Sequence, residues 1–122
     1  MFVFKGFTEK AIIALNLAIS AAENMHQNYV GSEHILLGLV REKNGAAGKI
    51  LRDAGISESM IEDLIREFSD STSLSVRRLT PEDFTPRTKR LLEYAALSAS
   101  KMGSGYVGTE HLLLALLSDK DC

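Results

Sequence analysis

The apolar positions of this chain recur at helical spacing and lapse at a few polar breaks. Ala11, Leu15, Ala18, Ala22 and Met25 fall at alternating steps of four and three, which places them on one helical face. Their small side chains permit a close crossing. Phe7-Thr8-Glu9 marks the start. Thr8 can cap the exposed amides, Glu9 suits the positive end of the helix, and Phe7 with Ile12 forms a hydrophobic staple. The pattern lapses at Gln27-Asn28. A second helix is expected from a Ser32 cap to about Glu42. Ile35, Leu36, Leu37, Leu39 and Val40 nearly encircle it, as in a central buried helix. After Asn44-Gly45, a short third helix carries Ala46, Ala47, Ile50, Leu51 and Ala54, with Gly55 at the C′ position. Ser57 caps a fourth, bearing Ile61, Leu64, Ile65 and Phe68, with Ile56 and Ile61 as a second staple.

Residues 69–83 lack this periodicity. They are rich in Ser and Thr, carry Arg77-Arg78 and Pro81, and read as a connector whose arginines are solvated charge. Phe84-Thr85-Pro86 then restarts the pattern, with Pro86 at the first helical position. Leu92, Ala95, Ala99 and Met102 repeat the face of Leu15, Ala18, Ala22 and Met25, 77 positions later. Tyr29-Val30-Gly31-Ser32-Glu33-His34-Ile35-Leu36-Leu37 returns as Tyr106-Val107-Gly108-Thr109-Glu110-His111-Leu112-Leu113-Leu114 at the same offset, without a gap.

The expectation is one all-α domain over residues 1–122, a duplicated four-helix repeat. Repeat one covers 7–68, the linker 69–83, and a partial repeat two 84–122, truncated to about two helices. The first helix start then has the support of a whole repeat, whereas the second must hold its geometry with half. Apolar surface near residues 91–118 is left for another molecule to cover, so self-association is expected.

Composition narrows the function classes. With 45% apolar and 25% charged residues in 122, the chain is a soluble globular protein that can bury a core without staples. A net charge of −2 with no basic stripe argues against nucleic acid. The apolar runs 35–40 and 112–117 are too short to span a bilayer. Met1-Phe2-Val3-Phe4-Lys5 lacks the layout of a signal peptide, and Cys122 has no disulfide partner. Together these suggest a cytoplasmic protein.

The candidate chemistry lies in the repeated motif. Taken once, Gly31-Ser32-Glu33 is most economically a capped helix start, hydroxyl at the N-cap and carboxylate at N1. Taken twice, with Gly108-Thr109-Glu110, it becomes a pair of candidate sites. Helix N-termini attract phosphate, and a neighbouring carboxylate suits a ligand that also carries a cation, such as a phosphorylated guanidinium. His34 and His111 read as packed histidines bracing their own helix starts. A metal site of Glu33, His34, Glu110 and His111 is the weaker alternative, since adjacent Glu and His cannot share a helical face. Gly45-Ala46-Ala47-Gly48-Lys49-Ile50 lacks the phosphate-loop spacing. No nucleophile–base pair is evident, so catalytic residues are not expected. Tyr29 and Tyr106 read as core or rim aromatics.

Phe7-Thr8-Glu9-Lys10, Gly31-Ser32-Glu33-His34-Ile35-Leu36-Leu37-Gly38-Leu39-Val40-Arg41-Glu42, Phe84-Thr85-Pro86 and Gly108-Thr109-Glu110-His111-Leu112-Leu113 resemble the N-terminal repeat domain of Clp ATPases of the ClpA/ClpC family, most like ClpC. The resemblance covers nearly the whole chain. It implies two four-helix repeats preceding the ATPase modules of an unfoldase in the Clp protease system, so ATP is expected only in those modules and no cofactor here. It also implies recruitment of protein substrates and of adaptor proteins such as MecA, and recognition of phosphoarginine. The implied ligand residues are Ser32, Glu33, Thr109 and Glu110, supported by Gly31, His34, Gly108 and His111. A protein-docking module without small-ligand sites is the alternative.

Overall fold

A computed structural model describes residues 1–68 and 77–119 of the chain. Six α-helices occur among them: α1 (Glu9–Asn24), α2 (Ser32–Arg41), α3 (Ala46–Asp53), α4 (Glu58–Phe68), α5 (Pro86–Lys101) and α6 (Thr109–Ser118). One 3₁₀ turn, Pro81–Asp83, precedes α5. The serines of 69–75 and Cys122 lie outside the described residues.

Helix starts follow local chemistry. Thr8 Oγ1 accepts from Ala11 N–H, Ser57 Oγ from Met60 N–H, and Thr85 Oγ1 from Thr88 N–H. Pro86 occupies the first position of α5. The ends of α1, α3 and α5 are closed by a left-handed residue: His26 (φ 58°), Gly55 (φ 84°) and Gly103 (φ 76°). In each, the following amide reaches back to close the last turn, Gln27 to Ala22 O, Ile56 to Leu51 O and Ser104 to Ala99 O. The first helix thus ends at Asn24, three residues before Gln27, because His26 supplies the turn.

α2 packs against all five other α-helices, as its all-round apolar surface requires. His34, Ile35, Leu37, Gly38, Leu39 and Val40 are buried on it. The α1–α2 crossing is set by Ala14, Ala18 and Gly38. A methyl on Gly38 would overlap Ala14 O and lie 3.0 Å from the Ala18 nitrogen. Both groups are helix backbone and cannot step aside. At the α2 C-terminus Arg41 Nη2 lies 2.6 Å from Glu62 Oε1, fastening α4.

The two halves are joined reciprocally. Thr8 N–H donates to Val107 O and Val107 N–H to Gly6 O, each at 2.9 Å. In the matching pair, Thr85 N–H donates to Val30 O (3.1 Å) and Val30 N–H to Asp83 O (2.9 Å). These are isolated parallel bridges; no strand forms among the described residues. Phe4 packs between the equivalent Phe7 and Phe84, stacked on Phe84 at 6.0 Å and tilted against Phe7 at 6.0 Å.

Four expectations need correction. Arg77 is not merely solvated: it donates to Asn28 O and pairs with Asp83 Oδ1 at 2.9 Å. The end of the connector is built structure, with Leu79 buried and its amide bonded to Glu23 Oε2 at 2.7 Å. Met102 is 62% exposed, unlike its counterpart Met25, which packs on the core. Ile50 and Leu64 also face outward.

Gly38→Ala should lower stability by about 1–3 kcal/mol in urea unfolding, although alanine is intrinsically the better helix former by about 1 kcal/mol. An unchanged or raised midpoint would show that α1 and α2 can move apart at no cost.

Candidate functional site

The bridges place helix starts side by side. Val30, just before α2, lies between Asp83 and Thr85 at the start of α5. Val107, just before α6, lies against Gly6 and Thr8 at the start of α1. Each repeated motif therefore sits beside a second helix N-terminus, contributed by the other repeat. First-turn amides have no partner within their own helix, and two positive ends together reinforce one another.

The hydroxyls do not cap these helices. Gly31 is the N-cap of α2 and Gly108 of α6, so Ser32 and Thr109 occupy the first helical position. The imidazoles close the turn instead. Gly31 N–H donates to His34 Nδ1 and Gly108 N–H to His111 Nδ1, each at 2.9 Å. A ring that accepts at Nδ1 keeps its proton on Nε2 when neutral. The repeated histidine thus satisfies the N-cap amide itself, while its own amide turns to the Gly31 or Gly108 carbonyl, and its bracing role is direct. The glycine has a separate reason. A methyl on Gly31 or Gly108 would overlap Oε1 of Glu33 or Glu110, because each carboxylate folds back over its own helix start.

Burial holds the His34 pKa below its ordinary value and outweighs the Glu33 carboxylate, which raises it. Tyr29 meets the ring edge-on at 5.6 Å and is half exposed at the rim. Tyr106 is 63% exposed.

The two clefts differ in support and charge. The first, about 240 Å³, is lined by Tyr29, Gly31, Ser32, Glu33, Thr85 and Arg87. The second, about 590 Å³, is lined by the α1 start (Thr8, Glu9, Lys10), Thr109 and Glu110 of α6, and Glu42, Asn44 and Ala46 before and within α3. Thr109 is 3% exposed, and its Oγ1 accepts from Ala47 N–H at 3.3 Å, so it satisfies the start of α3 rather than of α6. Along the clefts themselves, the second site is the one with a third helix in its lining. Because the repeats interlock, α3 of repeat one buttresses the second site, and the first site has no third helix along its lining. Sequence reasoning missed Arg87 and Lys10, equivalent cations at the two clefts, and Glu42. Their 77-residue register with the motifs was the available signal for the cations.

Among the described residues no group of three or more His, Cys, Asp or Glu could hold a metal, and no helix is long and apolar enough to cross a membrane. Gly45 N-caps α3, while Gly48 and Lys49 lie within it, Lys49 paired with Asp53.

Residues 6–122 match the model of the Clp repeat (R) N-terminal domain. The chain is 39% identical over 121 residues to the "ATP-dependent Clp protease ATP-binding subunit ClpA homolog" of Guillardia theta, covering 96% of the chain and 14% of that protein. It is 40% identical over 121 residues to the chloroplastic ClpC1 chaperone of Oryza sativa subsp. japonica, covering 96% and 12%. It thus spans about an eighth of these relatives. Its fold is similar to the ClpD N-terminal domain of Arabidopsis thaliana (TM-score 0.75, 27% identity, 96% of this chain and 79% of that one). It is also similar in fold to the ClpV N-domain of Vibrio cholerae (TM-score 0.76, 20% identity, 95% and 69%). A ClpV N-domain solved with a VipB peptide has TM-score 0.72 at 22% identity, covering 95% of this chain and 70% of that one.

The depressed His34 pKa sets a pH response. As pH falls below the free imidazole value of about 6.5, the unfolded chain binds the proton first, so stability is lost on that side and retained above it. The melting temperature should fall between pH 7.5 and 5.5, with a shallower fall in His34→Gln. An unaltered slope in that variant would place the response on another group.

Proposed function

The chain belongs to the Clp repeat (R) N-terminal domain family, and from that premise we propose that it is a non-catalytic recognition domain of a ClpC-type unfoldase. It recruits protein substrates and MecA-like adaptors, and it binds phosphoarginine on marked proteins at two helix starts. The observation that carries this reading is the pairing of each motif with a second helix N-terminus and a cation, Arg87 at the first cleft and Lys10 at the second. Convergent amides and a cation suit a phosphate. A carboxylate one residue along, Glu33 or Glu110, suits the guanidinium behind it in a forked, charge-assisted pair. Neither nucleic acid nor a membrane is proposed as partner, and no cofactor for this chain. ATP belongs to the ATPase modules of the parent, whose proposed setting is the cytoplasm; several relatives are chloroplastic by name.

Calorimetry with free phosphoarginine tests the ligand. Binding should be measurable in the native chain and lost in Glu33→Ala plus Glu110→Ala. Heat that persists unchanged in the double variant removes the carboxylates from the site. A docking module without small-ligand sites is favoured by the peptide-bound ClpV N-domain of the same fold. Under that reading the double variant melts lower yet holds its adaptor.

Self-association is proposed through α6. Leu114 and Leu117 are 42% and 74% exposed, whereas their counterparts Leu37 and Val40, on the helix that α3 and α4 pack against, are 0% and 4% exposed. A second copy supplies equivalent apolar cover. Light scattering should report dimers at high concentration that Leu117→Asp dissolves; a native chain that stays monomeric there excludes the contact.

A further inference from the structure

α4 carries apolar side chains on two sides. Ile61 and Ile65 are buried, and among the described helices α4 packs chiefly on α2. On its outer side Met60 and Leu64 are 50% and 52% exposed. Asp63 and Glu67 are exposed beside them, so positions 60, 63, 64 and 67 form one stripe, at the spacing with which a helix anchors in a groove. The stripe is apolar with an acidic edge. Asp63 has an exposed pair with Arg66 at 3.7 Å, the kind that contributes little, and Glu67 makes no ion pair among the described residues.

A groove of complementary character runs between α5 and α6. It has a volume of about 240 Å³ and is walled by Leu91 and Tyr94 on one side and by Ala115 and Ser118 on the other, with Arg87 and Arg90 toward the α5 start. Leu97 and Lys101 extend the exposed line of Arg90 and Tyr94 along α5 at helical spacing, and Leu114 and Leu117 are exposed on α6. Arg87 is paired with Asp119, whereas Arg90 and Lys101 make no ion pair among the described residues. The duplication shows what kind of surface this is. Repeat one lays α4 on α2 and fastens it through Arg41 to Glu62. The counterpart of Arg41 is Ser118, in the wall of the groove, and those of Leu37 and Val40 are Leu114 and Leu117. The surface on which repeat one carries a helix therefore recurs in repeat two, with none of the described helices on it.

We propose that a second copy of this chain seats the outer stripe of its α4 in the groove between α5 and α6. This rests on the reading that the chain self-associates through α6, and it assigns the surface that the partner copy brings. Met60 and Leu64 cover Tyr94, Leu97 and the exposed leucines of α6, while Asp63 and Glu67 meet the unpaired Arg90 and Lys101. Charge selects α4 over a second α6 as the occupant: two grooves face to face would bring the same cations together, whereas the α4 stripe brings carboxylates. Because the two surfaces differ, the contact is head to tail. Each dimer keeps one free α4 and one free groove, so it is the shortest member of an open series.

The test is sedimentation of the whole chain with one variant on each surface, Leu64→Asp on α4 and Leu117→Asp on α6. Each variant alone should stay monomeric at concentrations where the native chain associates. Their equimolar mixture should form a one-to-one dimer and nothing larger, because the Leu64→Asp chain still offers its groove and the Leu117→Asp chain still offers its α4. Glu67→Arg and Arg90→Glu should each weaken association about threefold or more, and the two changes in one chain should restore it. Native-like association of Leu64→Asp, with Leu117→Asp monomeric, overturns the α4 contact and leaves self-association through α6 standing. A mixture that stays monomeric also overturns it. A native chain that is monomeric throughout removes both readings. If Leu64→Asp does not fold, as judged by circular dichroism, association of Glu67→Arg equal to that of the native chain overturns the proposal instead.

Discussion

The structure depends on four backbone hydrogen bonds that each half makes to the other. Val107 is held by Gly6 and Thr8, and Val30 by Asp83 and Thr85. Each pair takes the segment entering one helix and docks it on the segment entering a helix of the opposite repeat. Val30 and Val107 are buried, where an unpaired backbone group is expensive, so the pairing fixes register as well as proximity. Leu79, Phe84, Val30 and Val107 are all buried around the bridges, and Phe4 stacks over the seam. Neither repeat can be lifted away without exposing both its entry segments and these side chains.

From this exchange the clefts follow. A helix start alone is an ordinary place. Here two starts converge at each end of the seam, and the residues that face a ligand come from both repeats: Glu33 with Arg87, Glu110 with Lys10. The histidines allow this. His34 and His111 hold the Gly31 and Gly108 amides at the N-cap, which leaves the hydroxyls one position on, at the first helical residue, for other contacts. Thr109 uses that freedom to hold the Ala47 amide of α3.

Periodicity made the helices legible, and the 77-residue offset made the duplication legible, because both are one-dimensional signals. The central position of α2 could be read from its surface, which has no polar face to turn outward. The N-cap could not. Ser32 is a better cap than Gly31 by local preference, and only the imidazole three residues on, folded back onto the glycine amide, decides otherwise. The third helix along the second cleft was hidden for a different reason. It depends on which repeat α3 leans against, and that is a property of the interlock rather than of any segment.

The duplication is most informative where its copies disagree. Gly38 meets the backbone of α1, yet its counterpart is Ala115, and Ala14 is matched by Leu91, so the second crossing is packed with larger side chains. His26 occupies a left-handed turn that Gly103 fills without strain, a substitution that costs about 1 kcal/mol for a residue with a Cβ. Such differences concern packing and can drift as long as the fold survives. Those at the clefts are of another kind. Arg87 pairs with Asp119, whereas their counterparts Lys10 and Glu42 make no ion pair among the described residues, and Thr109 holds the Ala47 amide where Ser32 lines its cleft. Two sites built on one plan therefore differ in the groups they present, and a ligand common to both must be met by what the copies share, the paired helix starts and the motif carboxylates.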